Sequence, residues 1–251
     1  MAPNTLWGLI ILIKKGKAAG FDGIFPELIK GLSTSSLNWL LSFYNNILTS
    51  GVIPREFKQT KIIAILKPGK PADNPSSYRP IALLSVCYKL LERLLYNRIQ
   101  PLIEDHLPTE QGGFRKQRSC CDQVLALTTH IEVGFQNRLK TGVAFLDLSA
   151  AYDTVWKDGL IHKLYNTIPN GNVVKLIEGM LSNRKFRVFV GERNSKFRIL
   201  NDGLPQGSVL SPLLFNLYTS DLPTTQGRKF MYADDLAIAL QHNDLKKLKE
   251  L

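Results

Sequence analysis

Residues 229–240 read KFMYADDLAIAL, and this stretch limits the fold more than any other in the chain. Phe230, Met231 and Tyr232 precede a pair of aspartates; Leu236, Ile238 and Leu240 follow it. The apolar runs have strand character, whereas aspartate is a poor strand former and a poor core residue. The pattern predicts a buried hairpin with Asp234 and Asp235 at its tip. A lone Asp-Asp pair is most often a solvated turn, but apolar flanks on both sides argue against that here. Rigid strands hold such a tip still, and two fixed carboxylates suit a hard divalent cation bound through oxygen.

Two metal ions need a further acid. The segment TGVAFLDLS, 141–149, is a short apolar strand ending on Asp147. If the two strands are sheet neighbours, Asp147 faces Asp234 across the ladder at a Cβ separation of about 5 Å. Two Mg²⁺ ions about 4 Å apart would fit between such acids, activating an attacking hydroxyl and neutralising a leaving phosphate.

The 251 residues carry a formal net charge of +11, which favours a polyanionic partner. Twelve Lys or Arg lie in residues 54–118 against six acids, suggesting a basic surface for a phosphate backbone. The three cysteines, Cys87, Cys120 and Cys121, lack CxxC spacing; this argues against a disulfide framework or structural zinc and for a reducing compartment, nucleus or cytoplasm. The apolar run Leu6–Ile13 is too short to cross a bilayer and lacks a preceding basic segment, so it reads as buried helix rather than anchor or signal peptide.

Helical spacing covers 36–50, 82–100 and 121–138, with Asp122 near the start of the last, and a further helix is expected around 156–168. Residues 60–66 are strand-like, and the Pro/Gly-rich stretch 67–80 reads as loop. Residues 185–200 suggest a hairpin turning at Gly191–Ser195, and 202–222 a Gly/Pro loop feeding a helix. Without a clean βαβ period, the expected class is α+β, an antiparallel sheet backed by helices.

Several segments in order resemble the reverse transcriptase domain of non-LTR retrotransposons, particularly the jockey-like group. They are KAAGFDGIFPELIK at 17–30, SYRPIALLSVCYKLLERLLYNRI at 77–99, LPTEQGGFRKQRSCCDQVLAL at 107–127, FLDLSAAYD at 145–153, GLPQGSVLSPLLFNLY at 203–218 and YADD at 232–235. Together they cover nearly the whole chain. The resemblance implies a right-hand polymerase of fingers and palm, with an N-terminal finger extension at 1–50 and the polymerase domain at 51–251. The chain stops soon after YADD, so the thumb is expected to be absent.

The resemblance also implies roles. Asp147, Asp234 and Asp235 look like the metal-binding triad, Asp147 and Asp234 holding the metals directly and Asp235 the weaker member, with Leu148 lending its backbone carbonyl to the nucleotide-bound metal; the cofactor would be two Mg²⁺, with Mn²⁺ as substitute. Tyr152 stands where the family places a steric gate against a ribose 2′-OH, which favours dNTPs and disfavours an RNA-dependent RNA polymerase. Gln206 and Gly207 resemble the lining of the nucleotide pocket, and Arg79 the finger arginine over the triphosphate. Lys67 and Lys70 flank Arg79 in its loop, and Arg115 and Arg118 are assigned to template backbone. Asp153, beside the gate, reads instead as a helix cap. The partners implied are RNA template, DNA primer and dNTP, without a membrane. The competing function is a truncated or co-opted remnant that binds RNA without polymerising; intact acids argue against it.

Overall fold

The computed structural model describes residues 3–250; Met1 and Leu251, whose standing as natural ends the sequence leaves open, lie outside them. The helices are α1 Pro3–Ile11, α2 Pro26–Lys30, α3 Thr34–Ser50, α4 Val86–Glu104, α5 Cys120–Gln136, α6 Lys157–Thr167, α7 Gly171–Leu181, α8 Ser211–Tyr218 and α9 Leu245–Glu250. The strands are β1 Gln59–Leu66, β2 Tyr78–Leu83, β3 Lys140–Asp147, β4 Arg184–Val190, β5 Arg193–Asn194, β6 Arg198–Leu200, β7 Arg228–Tyr232 and β8 Asp235–His242. The chain is a mixed α/β protein with two sheets. It forms two compact units, residues 1–103 with 152–211, and 104–151 with 212–251. Residue 50, the domain boundary expected from the sequence, lies inside the first unit.

In the first unit a five-stranded sheet runs β2-β1-β4-β5, with β6 also on β4. Most pairs are antiparallel, but β1 and β4 are parallel. Parallel pairing needs a long crossover, and β1 and β4 are indeed far apart in sequence. Leu84, Tyr88, Leu91, Leu94, Leu95 and Ile99 are buried along the 84–99 stretch, with Leu160, Leu164, Val174 and Ile177 elsewhere in the core. Helix α3 behaves as its spacing dictates: Ser33 caps the Ser36 amide, Gly51 closes the other end at φ +70°, and Leu37, Leu40, Tyr44 and Ile47 are buried.

Three local readings change. The helix expected at 82–100 starts at Val86, because Ala82 and Leu83 belong to β2. That strand emerges from the Pro-rich stretch read as loop and still contains Pro80, which is tolerated because β2 is an edge. The Ala82 amide points away from β1 to the Gln206 carbonyl, 2.9 Å. Pro80, two residues earlier, faces its missing N–H the same way and costs the ladder nothing. Helix α7 was not anticipated; Asn170 caps its first turn, and Val174, Ile177, Met180 and Leu181 give it a buried face.

In the second unit a three-stranded antiparallel sheet runs β3-β8-β7. Phe230, Ala237 and Ala239 form its small apolar centre, packed by Val143 and by Ala126 and Leu127 of α5. Helix α5 opens on a full capping box: Ser119 accepts from the Asp122 amide, and the Asp122 carboxylate accepts from the Ser119 amide.

Candidate active site

The hairpin of β7 and β8 pairs Tyr232 directly with Asp235, which leaves Ala233 and Asp234 as a two-residue turn. Ala233 has φ +58°, and Asp234 is not in the left-handed region. A positive φ at the first central residue alone is the type II′ signature, a turn whose twist matches the flanking strands. Alanine there is strained, since a left-handed conformation costs an L-residue about 1–2 kcal/mol.

Strand β3 lies on the other side of β8, and the register puts Asp147 opposite Asp235. The expectation that Asp147 meets Asp234 across the ladder is therefore corrected by one residue. Paired residues share a face, so Asp147, Asp235 and Tyr232 stand in one row on one side of the sheet. Asp234 lies in the turn, one residue from that row. Asp147 and Asp235 are exposed and Asp234 half-buried. Among the described residues, no three His, Cys, Asp or Glu side chains already form a group that could hold a metal ion. The carboxylates are of the chemistry a hard cation needs, but the convergence of all three is not preassembled. Leu148 follows β3 directly, outside the ladder.

Arg115 does not serve as expected. Its Nε and Nη2 both contact Glu104 Oε1 at 2.7 Å, and Nη1 donates to the carbonyls of Pro108 and Gln111. Only 6% of this side chain is exposed; the guanidinium is spent on its own unit and is withdrawn from the template assignment. Arg118 Nη1 also donates to backbone, at Thr109 and Gln111. The basic excess is unevenly shared: 54–103 hold nine Lys or Arg against three acids, whereas 104–118 are balanced.

The remaining expected residues, Lys67, Lys70, Arg79, Tyr152, Gln206 and Gly207, lie in the first unit. Backbone bonds join several of them. The Leu204 amide donates to Tyr152 O at 2.7 Å, and the Gly203 amide to Val155 O at 2.9 Å. Gln206 O accepts from Ala82 on the strand that carries Arg79. Gly203 (φ +83°) and Gly207 (φ +113°) are backbone requirements: a Cβ would come within 2.7 Å of Asp153 O in the first case and of Ala82 O in the second. Arg79 and Lys70 are exposed, while Lys67 Nζ donates to Ser76 O at 3.0 Å. Asp153 is no helix cap, because α6 starts at Lys157 after Trp156. Burial raises its carboxyl pKa.

Sequence reasoning missed a buried acid behind this loop. Glu92 is 1% exposed. It accepts from the Ser208 hydroxyl and from the Val209 amide, the latter at 2.9 Å. Burial raises its pKa, against the lowering influence of those bonds and of Arg184. The Ser208 hydroxyl in turn accepts from the Leu210 and Ser211 amides at the start of α8. Glu92 had only one signal, a charge inside an apolar helical run.

The acid-tipped hairpin and the acid-ended strand bring carboxylates, the ligand type that hard divalent cations use, to one end of the three-stranded sheet. The sequence matches the reverse transcriptase (RNA-dependent DNA polymerase) family over residues 65–250, and the chain belongs to that family. It is 38% identical to a probable RNA-directed DNA polymerase from transposon BS of Drosophila melanogaster, over 90% of the chain and 26% of that protein. It is 33% identical to the RNA-directed DNA polymerase from mobile element jockey of Drosophila funebris, over 92% of the chain and 26% of the relative. A probable RNA-directed DNA polymerase from transposon X-element of Drosophila melanogaster is 32% identical, over 94% of the chain and 27% of the relative. The chain thus spans about a quarter of the length of these relatives. No described helix is long and apolar enough to cross a membrane.

Proposed function

We propose that this chain is the polymerase part of a non-LTR mobile-element protein, transferring a nucleotide from dNTP to a primer 3′-OH on an RNA template. The observation that carries this reading is the row of Asp147 and Asp235, one residue from the turn-borne Asp234, in a chain of the reverse transcriptase family. The family generally uses divalent metal ions. Asp147, Asp235 and the Leu148 carbonyl, joined by Asp234 after rotation about χ1, would hold two Mg²⁺ or Mn²⁺. When bound, the ions would lower the charge on the attacking and leaving oxygens of the displacement.

The protein's own groups supply position. Arg79, exposed on an edge strand, offers a planar fork to the triphosphate. Gly207 is held to glycine by the Ala82 carbonyl and its positive φ, and is assigned with Gln206 to the lining of the nucleotide pocket. Tyr152, tied through its carbonyl to Leu204, acts as the gate against a 2′-OH, and Gln206 lines the same pocket. Lys67, Lys70 and Arg118 add positive charge for template and primer phosphates. In this reading the three-stranded sheet with its acids is palm, the five-stranded sheet contributes to fingers, and residues 1–50 are the finger extension. The reduced cysteines suit nucleus or cytoplasm.

The test is primer extension on poly(rA)/oligo(dT) with dTTP and Mg²⁺, comparing the chain with Asp234→Ala. Incorporation that disappears in the variant supports the proposal. RNA binding with no incorporation in either protein refutes it and leaves the remnant reading.

A further inference from the structure

We propose that Gln111 is a positioning residue for the Asp234 turn, gripping the strained Ala233 peptide from outside the acid row. The proposal rests on the reading of that turn as the catalytic tip, although the grip itself is a matter of geometry. Gln111 is 1% exposed and lies 122 residues from Ala233 in sequence. Its Oε1 accepts from the Ala233 amide at 2.9 Å and its Nε2 donates to the Ala233 carbonyl at 3.0 Å. Both polar atoms of one peptide residue are thus held by one side-chain amide, and Ala233 is the residue at φ +58°. The strain is retained because its surroundings over-determine it.

The grip is anchored behind. Segment 110–112 runs along the outer edge of β7: the Met231 amide donates to Glu110 O at 3.1 Å, and the Gly112 amide to Met231 O at 2.8 Å. Gln111 Oε1 also accepts from the Gly113 amide at 2.7 Å. The Gln111 carbonyl receives Arg115 and Arg118. Gly113 must be glycine, since a Cβ would stand 2.1 Å from the Ala233 nitrogen; its carbonyl accepts from Asn216 Nδ2 at 2.8 Å. Gln111 touches no acid of the site, so any effect on chemistry passes through the turn. A turn held in this way fixes the backbone that carries Asp234 and leaves only its side chain to rotate into the site, and that backbone preorganisation is where positioning acts on rate.

The test uses the 251-residue chain with Gln111→Leu, and with Gln111→Leu combined with Ala233→Gly. Amide hydrogen exchange by NMR is read first. In Gln111→Leu the Ala233 amide should exchange faster by about tenfold or more, while the Ala237 and Ala239 amides of β8 keep their protection. Single-turnover dTTP incorporation should fall by about tenfold to a hundredfold with KM for dTTP unchanged. Glycine adopts positive φ freely, so Ala233→Gly should restore most of the lost rate. Unchanged exchange at Ala233, loss of β8 protection together with it, or absence of rescue by glycine would each overturn the proposal. A wild-type chain that incorporates nothing defeats the polymerase reading instead, and the exchange comparison still decides the grip.

Discussion

Replacing Glu92 separates the contribution of its bonds from the cost of its charge. The carboxylate holds the Ser208 hydroxyl and the Val209 amide, directly after Gln206 and Gly207. Glu92→Ala removes both bonds and leaves a buried hydroxyl without its acceptor. Bonds to a charged group contribute about 1.5–3 kcal/mol each, partly offset by relief of the buried charge. A net loss of about 2–4 kcal/mol is expected at neutral pH. Glu92→Gln keeps an acceptor and removes the charge, so it should cost less than about 1 kcal/mol. The two differ further in pH dependence. Burial raises the folded-state pKa above the ordinary 4.5. The neutral carboxyl is then favoured by folding; its contribution is complete below 4.5 and is lost as pH rises through the folded value. Wild type should therefore lose stability relative to Glu92→Gln as pH climbs from 4.5 towards neutrality. Urea unfolding followed by circular dichroism at a series of pH values measures this. Parallel pH profiles for wild type and Glu92→Gln would refute the reasoning.

Arg184 is buried with its guanidinium on the Tyr88 hydroxyl, the Met180 carbonyl and the Thr60 hydroxyl. Arg184→Met should cost about 2–4 kcal/mol in urea unfolding, against less than about 0.5 for exposed Lys185→Ala. Gly207→Ala meets both a positive φ and the Ala82 carbonyl; it should destabilise by about 2 kcal/mol or more and depress incorporation more than Gly191→Ala, which has the positive φ but open space. Tyr152→Ala should admit rNTPs in the extension assay while retaining dNTP incorporation; unchanged discrimination would remove the gate from Tyr152.

The acid pair and its partner strand were legible because carboxylates inside apolar runs conflict with local propensity, and such conflicts mark sites. The one-residue register between Asp147 and the hairpin was not legible, because it depends on the tight turn taken by Ala233 and Asp234. Strand β2 was hidden by Pro80, whose edge position is a tertiary fact. Arg115 read as a phosphate contact because charge is visible in sequence and burial against Glu104 is not. Gln111 gave no signal: a neutral amide next to two glycines looks like loop, and its partner lies in a distant hairpin.

The most direct test of the central claim is metal-directed cleavage. Fe²⁺ bound in place of Mg²⁺, with ascorbate and peroxide, cuts backbone beside its ligands. The account predicts cuts near both 147 and 232–236, suppressed by excess Mg²⁺ and by Asp147→Asn. Cuts at only one of these segments, or a pattern indifferent to Asp147→Asn, would contradict it.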